Sequence, residues 1–115
     1  MQQDDRSTPF THEQIRQFDG KGDKPTYIAL NGFVFDVSSS HSFKEGGTYS
    51  NFPGRDITMA AAFYQTEDEY VNMTFDVDNP PKLTFDQQQN IMNFYIMFCQ
   101  KYRVVGKVTV PKKDS

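Results

Sequence analysis

With 115 residues and 37% hydrophobic content, the chain has material for one core and no room for a second domain. Twelve Lys and Arg against fifteen Asp and Glu give a net charge of −3, with no basic stripe of the kind a phosphate backbone requires, so nucleic acid is excluded as an expected partner. Eleven Phe and six Tyr, with no Trp, exceed what a minimal core needs, and part of them is expected to line a pocket for something flat and apolar.

In chain order, residues 1–8 are polar, lack the apolar stretch of a signal peptide, and are expected to form an N-terminal tail. Phe10-Thr11-His12-Glu13-Gln14-Ile15 has the form of a helix start, with Thr11 as N-cap, Gln14 completing a capping box and Phe10 with Ile15 as a hydrophobic staple. The helix is expected to run to about Phe18, where Asp19-Gly20 and Lys21-Gly22 break it. Two runs of strand-forming residues, Tyr27 to Leu30 and Phe33 to Val37, flank Asn31-Gly32, the strongest short hairpin signal a sequence offers. Residues 38–55 are rich in Ser, Gly and Asn and read as a loop with one short helical turn. Long loops in compact domains are often functional.

Asp56 can cap a short helix through about Tyr64, followed by the acidic segment Glu67-Asp68-Glu69 and a loop around Asn79-Pro80-Pro81. Thr84 starts a second capping box with Gln87. From there Ile91, Phe94, Tyr95, Phe98 and Tyr102 recur at three- and four-residue intervals, which predicts one face of a long helix ending near Lys101. Val104 to Val110 reads as a closing strand and residues 111–115 as a C-terminal tail. The whole is an α+β domain over residues 9–110. One cysteine, Cys99, cannot form an internal disulfide and suits an inert thiol in a reducing, intracellular compartment. No run of about 18 apolar residues occurs, so the chain as given is expected to be soluble.

The usual catalytic patterns are missing. The two histidines, His12 and His41, stand in no triad or paired-ligand context, and no Cys-x-x-Cys occurs. Glu45-Gly46-Gly47 lacks the Lys and helix of a phosphate loop. An enzyme is not expected.

The most specific stretch is Phe43-Lys44-Glu45-Gly46-Gly47-Thr48-Tyr49-Ser50-Asn51-Phe52-Pro53-Gly54-Arg55-Asp56. It resembles the segment of membrane-associated progesterone receptor proteins in which a Gly-Pro-Tyr-x-x-Phe-Ala-Gly-x-Asp pattern supplies a tyrosine to haem iron. Gly47, Tyr49, Phe52, Gly54 and Asp56 keep that pattern at its spacing. The likeness continues through the hairpin and through Leu83-Thr84, Gln87-Gln88, Phe98, Lys101-Tyr102 and Val105 to Val108, covering roughly residues 9–110. It implies a cytochrome b5-like fold, a small mixed sheet with helices bordering a haem cleft.

By the same resemblance, Tyr49 is the ligand to a ferric haem b, and Lys101 and Tyr102 are the groups that stabilise its phenolate. An anionic oxygen ligand favours ferric iron and a low reduction potential. Phe43, Lys44, Phe52, Asp56 and Met59 complete the expected cofactor-binding set, with Lys44 and Arg55 as stand-ins for a cation that meets a haem propionate. The resemblance also implies haem-thiolate monooxygenases of sterol metabolism as partners, sterols as further ligands, a haem-stacked homodimer, and association with the endoplasmic reticulum where a membrane anchor precedes the domain. The sequence departs from the pattern at Thr48 and Pro53, at Lys44, where the family usually has a tyrosine, and at Ile57-Thr58-Met59, where it tends to have Ala-Ser-Arg. These departures favour the alternative of a haem-free scaffold or lipid- and steroid-binding domain of the same fold. The electron-carrying cytochrome b5 proteins hold haem between two histidines, one in a His-Pro-Gly-Gly motif, which this chain lacks.

Overall fold

A computed structural model describes residues 4–44 and 46–110; the expected C-terminal tail lies outside them. Four strands form one mixed sheet in the order β1-β4-β3-β2, where β1 is Pro9–Phe10, β2 Tyr27–Leu30, β3 Phe33–Asp36 and β4 Arg103–Val108. β1 runs parallel to β4 and the other pairings are antiparallel. The expected hairpin is β2 and β3. Asn31 and Gly32 both adopt positive φ, 54° and 85°, the backbone that a tight two-residue turn between right-twisted strands requires.

Alternation of side chains along the strands gives the sheet two apolar faces. Ile28, Leu30, Phe35 and Val104 point to the side covered by α2 (Thr58–Phe63) and α4 (Phe85–Lys101). Ala29, Val34 and Val105 point to the other side, with Ile15 of α1 (His12–Arg16) and the partly buried Phe10 and Tyr27. Both expected capping boxes form. Thr11 Oγ1 accepts from the Gln14 amide at 3.1 Å while the Gln14 side chain accepts from Thr11, and Thr84 and Gln87 repeat the exchange at the start of α4.

Three features go beyond the sequence reading. Residues 4–8, expected as a tail, run along β4: the Asp5 amide donates to the Val104 carbonyl at 2.8 Å and the Val104 amide donates to Asp4 at 3.1 Å. Pro9–Phe10 is a short strand. The acidic segment forms α3 (Asp68–Val71), which buries Val71 and leaves its carboxylates in solvent. The expected helical turn in the long loop is a 3-10 turn over His41–Phe43.

Candidate functional site

Between α2 and the C-terminal half of α4 the long loop closes off an apolar cleft of about 300 Å³. That volume is at the lower end of the range for small-molecule sites. The loop is held by its own backbone. The Gly47 amide donates to the Lys44 carbonyl at 2.8 Å and the Tyr49 amide to the Ser42 carbonyl at 2.9 Å, folding the chain back on the 3-10 turn. Position 47 has to be glycine, because a Cβ there would lie 2.5 Å from the Ser42 carbonyl oxygen and 2.7 Å from that of His41. The next residues tie the loop to the sheet: the Gly54 amide donates to Tyr27, the Ala29 amide to Arg55 and the Ile57 amide to Ala29. Tyr49 is thereby presented from a fixed segment.

Five of the sequence-predicted site residues, Phe43, Tyr49, Phe52, Lys101 and Tyr102, line this one cleft. Their rings interlock. Tyr49 lies 5.0 Å from Phe52 and 5.9 Å from Phe43, centroid to centroid, and Phe43 packs on Tyr102 at 6.2 Å. Phe43 and Phe52 are buried, Tyr49 and Tyr102 half-buried, and Lys101 is exposed at the end of α4. The arrangement offers an aromatic wall of Phe43, Tyr49 and Phe52, whose rings are tilted 25–35° to one another, with the exposed Lys101 at the end of α4 beside it. No hydrogen bond joins Tyr49 to Lys101 or Tyr102 among the described residues.

Three predicted residues lie elsewhere. Lys44 is on the opposite side of the loop and lines a separate polar groove. Asp56 is buried at the foot of α2, where one carboxylate oxygen accepts from the Thr58 amide and hydroxyl and the other meets His12 Nε2 at 2.8 Å. These three contacts tie α1 to the start of α2, and Asp56 does not line the cleft. Met59, second residue of α2, turns into the protein and is 8% exposed. The face of α2 that borders the cleft carries Ala60 and Ala61, whose small side chains leave the space open.

Tyr64 and Met97 also border the cleft and escaped the sequence reading. Met97 was within reach of the helical period, since Phe94, Met97, Phe98 and Lys101 fall on one side of α4. Tyr64 carries no such signal. It ends α2 in a left-handed conformation, φ 57°, with 72% of its surface exposed.

The donor set suits oxygen ligation of a hard metal in a flat apolar cofactor: three phenols, Tyr49, Tyr64 and Tyr102, and the Lys101 cation around aromatic walls, with both histidines outside the cleft. Among the described residues no cluster of three His, Cys, Asp or Glu could hold a bare metal ion.

A family model described as cytochrome b5-like haem/steroid binding domain matches residues 11–108, and the chain belongs to that family. Within it the chain falls in the membrane-associated progesterone receptor and steroid-binding branch. It is 36% identical over 101 residues to the Arabidopsis thaliana protein named Probable steroid-binding protein 3, covering 86% of this chain and 96% of that one. It is 29% identical to human membrane-associated progesterone receptor component 2, over 91% of this chain and 47% of the relative, so the chain spans about half the length of that protein. A Schizosaccharomyces pombe relative named Cytochrome P450 regulator dap1 is 24% identical over 90% of this chain and 64% of its own length. An Arabidopsis thaliana protein solved with a cytochrome b5-like fold superposes with a TM-score of 0.75 at 32% identity, over 96% of this chain and 98% of that one. These relatives are named for binding and regulation. No helix among the described residues is long and apolar enough to cross a membrane.

Proposed function

We propose that the domain binds ferric haem b in the α2–α4 cleft through Tyr49 and acts by contacting partner proteins rather than by passing electrons. The observation that carries this reading is the half-buried Tyr49, held on a backbone-locked loop and lining one aromatic cleft with Lys101 and Tyr102. When bound, such a cofactor supplies a ferric centre of low potential, which an anionic oxygen ligand favours. Tyr49 supplies the oxygen. Lys101 would supply positive charge and Tyr102 a hydroxyl, and Phe43 and Phe52 would supply apolar lining for the group. A relative named as a P450 regulator supports haem-thiolate monooxygenases as the partners, and these would place the domain beside the endoplasmic reticulum. The exposed ring of Tyr64 at the mouth is the surface across which two haem-loaded copies would meet.

A second reading, a haem-free steroid- or lipid-binding domain, draws on the modest cleft volume and on Thr48 and Pro53 in the loop. Haemin titration separates the two. The parent protein should give a high-spin ferric spectrum typical of phenolate ligation, and Tyr49→Phe, which removes the oxygen and keeps the ring, should abolish it while leaving the circular dichroism unchanged. If Tyr49→Phe binds as well as the parent, Tyr49 is not the ligand; if the parent does not bind at micromolar haemin, the steroid-binding reading replaces this one.

A further inference from the structure

On the far side of the Tyr49 loop lies an open polar groove of about 1350 Å³, on a molecule measuring 37 × 32 × 28 Å. It is bordered by the 16–26 segment, by the outer side of the loop and by α3. Arg16, Lys21, Lys24, Lys44 and Arg55 line it, five of the twelve cations of a chain whose net charge is −3. None of the five makes an ion pair among the described residues. Two carboxylates share the groove, and both are engaged: Asp19 accepts from the Lys21 amide at 3.0 Å and Asp68 from the Asn51 side chain at 2.9 Å. Arg16, Lys21 and Lys24 stand within nine residues of one another, and Lys44 and Arg55 join them only in the fold.

We infer that this groove docks an extended acidic segment of a partner protein. An excess of like charge gathered in a concavity, here five cations against two carboxylates, costs free energy by mutual repulsion and focuses a positive field outward, which an anionic partner relieves. The occupant follows from shape and charge together. A concave trough takes a narrow polypeptide, whereas a flat anionic bilayer reaches convex surfaces, and the five cations outnumber the two carboxylates, which suits an acidic chain. Phe43 lines both this groove and the apolar cleft, so a docked segment would lie against the back of the loop that carries Tyr49. The inference does not depend on what fills the cleft.

The test is fluorescence anisotropy of a labelled polyglutamate peptide against the whole chain at low ionic strength. Binding is expected, falling with added salt. The pair Lys21→Glu and Lys24→Glu should weaken it at least about tenfold, and the charge-matched pair Lys82→Glu and Lys107→Glu, outside the groove, less than about twofold. Amide shift changes in the unaltered protein should fall within 16–26, 44–55 and 68–72, a readout that no folding defect can mimic. Absence of binding, equal weakening by both pairs, or shifts elsewhere would overturn the proposal. So would phosphatidylserine vesicles binding through the groove cations while polyglutamate does not.

Discussion

His12 Nε2 lies 2.8 Å from a carboxylate oxygen of Asp56, whose side chain is 3% exposed. The second oxygen accepts from Thr58, and the Thr58 hydroxyl in turn accepts from the Asn31 amide at 2.9 Å. One buried carboxylate thus joins α1, the start of α2 and the hairpin turn. Removing it leaves a buried hydroxyl and amide without their acceptor, which costs more than the net worth of the bonds. Asp56→Ala is expected to destabilise the fold by about 2–4 kcal/mol in urea unfolding. The folded fraction should bind haemin with the affinity of the parent, because Asp56 does not face the cleft. A loss of affinity with unchanged stability would place Asp56 at the cofactor after all.

Gly47 tests the loop. Its replacement by Ala puts a Cβ onto the Ser42 carbonyl, so the Tyr49 segment has to shift against the 3-10 turn, while the nearest atoms to that Cβ all belong to His41 and Ser42 and not to the sheet. Haemin affinity should fall by about ten- to a hundredfold, the effect of about 1.4–2.7 kcal/mol. The unfolding midpoint should change much less than for Asp56→Ala. Equal affinity for Gly47→Ala and parent would mean that the loop need not be held as the structure has it.

Lys101 and Lys44 were both expected at the cofactor, and the fold separates them. Lys101→Ala withdraws a positive charge from the cleft rim and should weaken haemin binding about ten- to a hundredfold, the range for one charge-assisted hydrogen bond of about 1.5–3 kcal/mol. Lys44→Ala and His41→Ala should change it little, since neither side chain lines the cleft. The three variants measured side by side check the assignment, and a large effect of Lys44→Ala alone would reverse it.

The features that were legible in the sequence are those that neighbours along the chain determine. Thr11 with Gln14, Thr84 with Gln87 and Asn31-Gly32 each fix local backbone through groups at most three residues apart, and all three form as read. The period of α4 likewise gave its buried face, Ile91 and Phe98. Which side of the Tyr49 loop a residue faces is a different kind of information. Lys44 follows Phe43 directly yet points to the opposite side, and Met59 and Ala60 part company on α2 for the same reason. The pairing of β1 with β4 depends on residues nearly a hundred positions apart, and nothing local at Pro9-Phe10 announces it.

Asp5 gives a pH prediction for the N-terminal segment. Its exposed carboxylate accepts from the hydroxyls and amides of Thr8 and Ser7, which hold its pKa well below the usual carboxylate range. A depressed pKa means that the contribution is fully present above the ordinary Asp value of about 3.9 and fades as pH falls toward the folded value. The Ser7 and Thr8 amide resonances should therefore stay unchanged from neutral pH to about pH 4 and move only in stronger acid. In Asp5→Asn they should sit at their released positions at every pH. Movement centred on the ordinary Asp value in the parent would show that the bonds do not form.

Arg6 clamps the same segment to the long helix, and its partner offers a sensitive readout. One guanidinium nitrogen donates to the Tyr95 hydroxyl at 2.6 Å, and the guanidinium carbon lies 4.8 Å from the centre of the Phe33 ring. Burial pushes the Tyr95 phenol above its usual pKa, while the hydrogen bond from Arg6 pulls it back by favouring the phenolate. Arg6→Ala removes the opposing influence and leaves the desolvation in place, so the Tyr95 ring resonances should titrate at higher pH than in the parent. Stability follows the same sign: a phenol whose folded pKa is raised loses stabilisation as pH climbs through about 10, where the unfolded chain ionises first. The variant should lose it more steeply above that point, on top of a smaller pH-independent loss from the missing contact with Phe33. A Tyr95 titration that stays put or shifts downward in Arg6→Ala would show that residues 4–8 are not fastened through this bond.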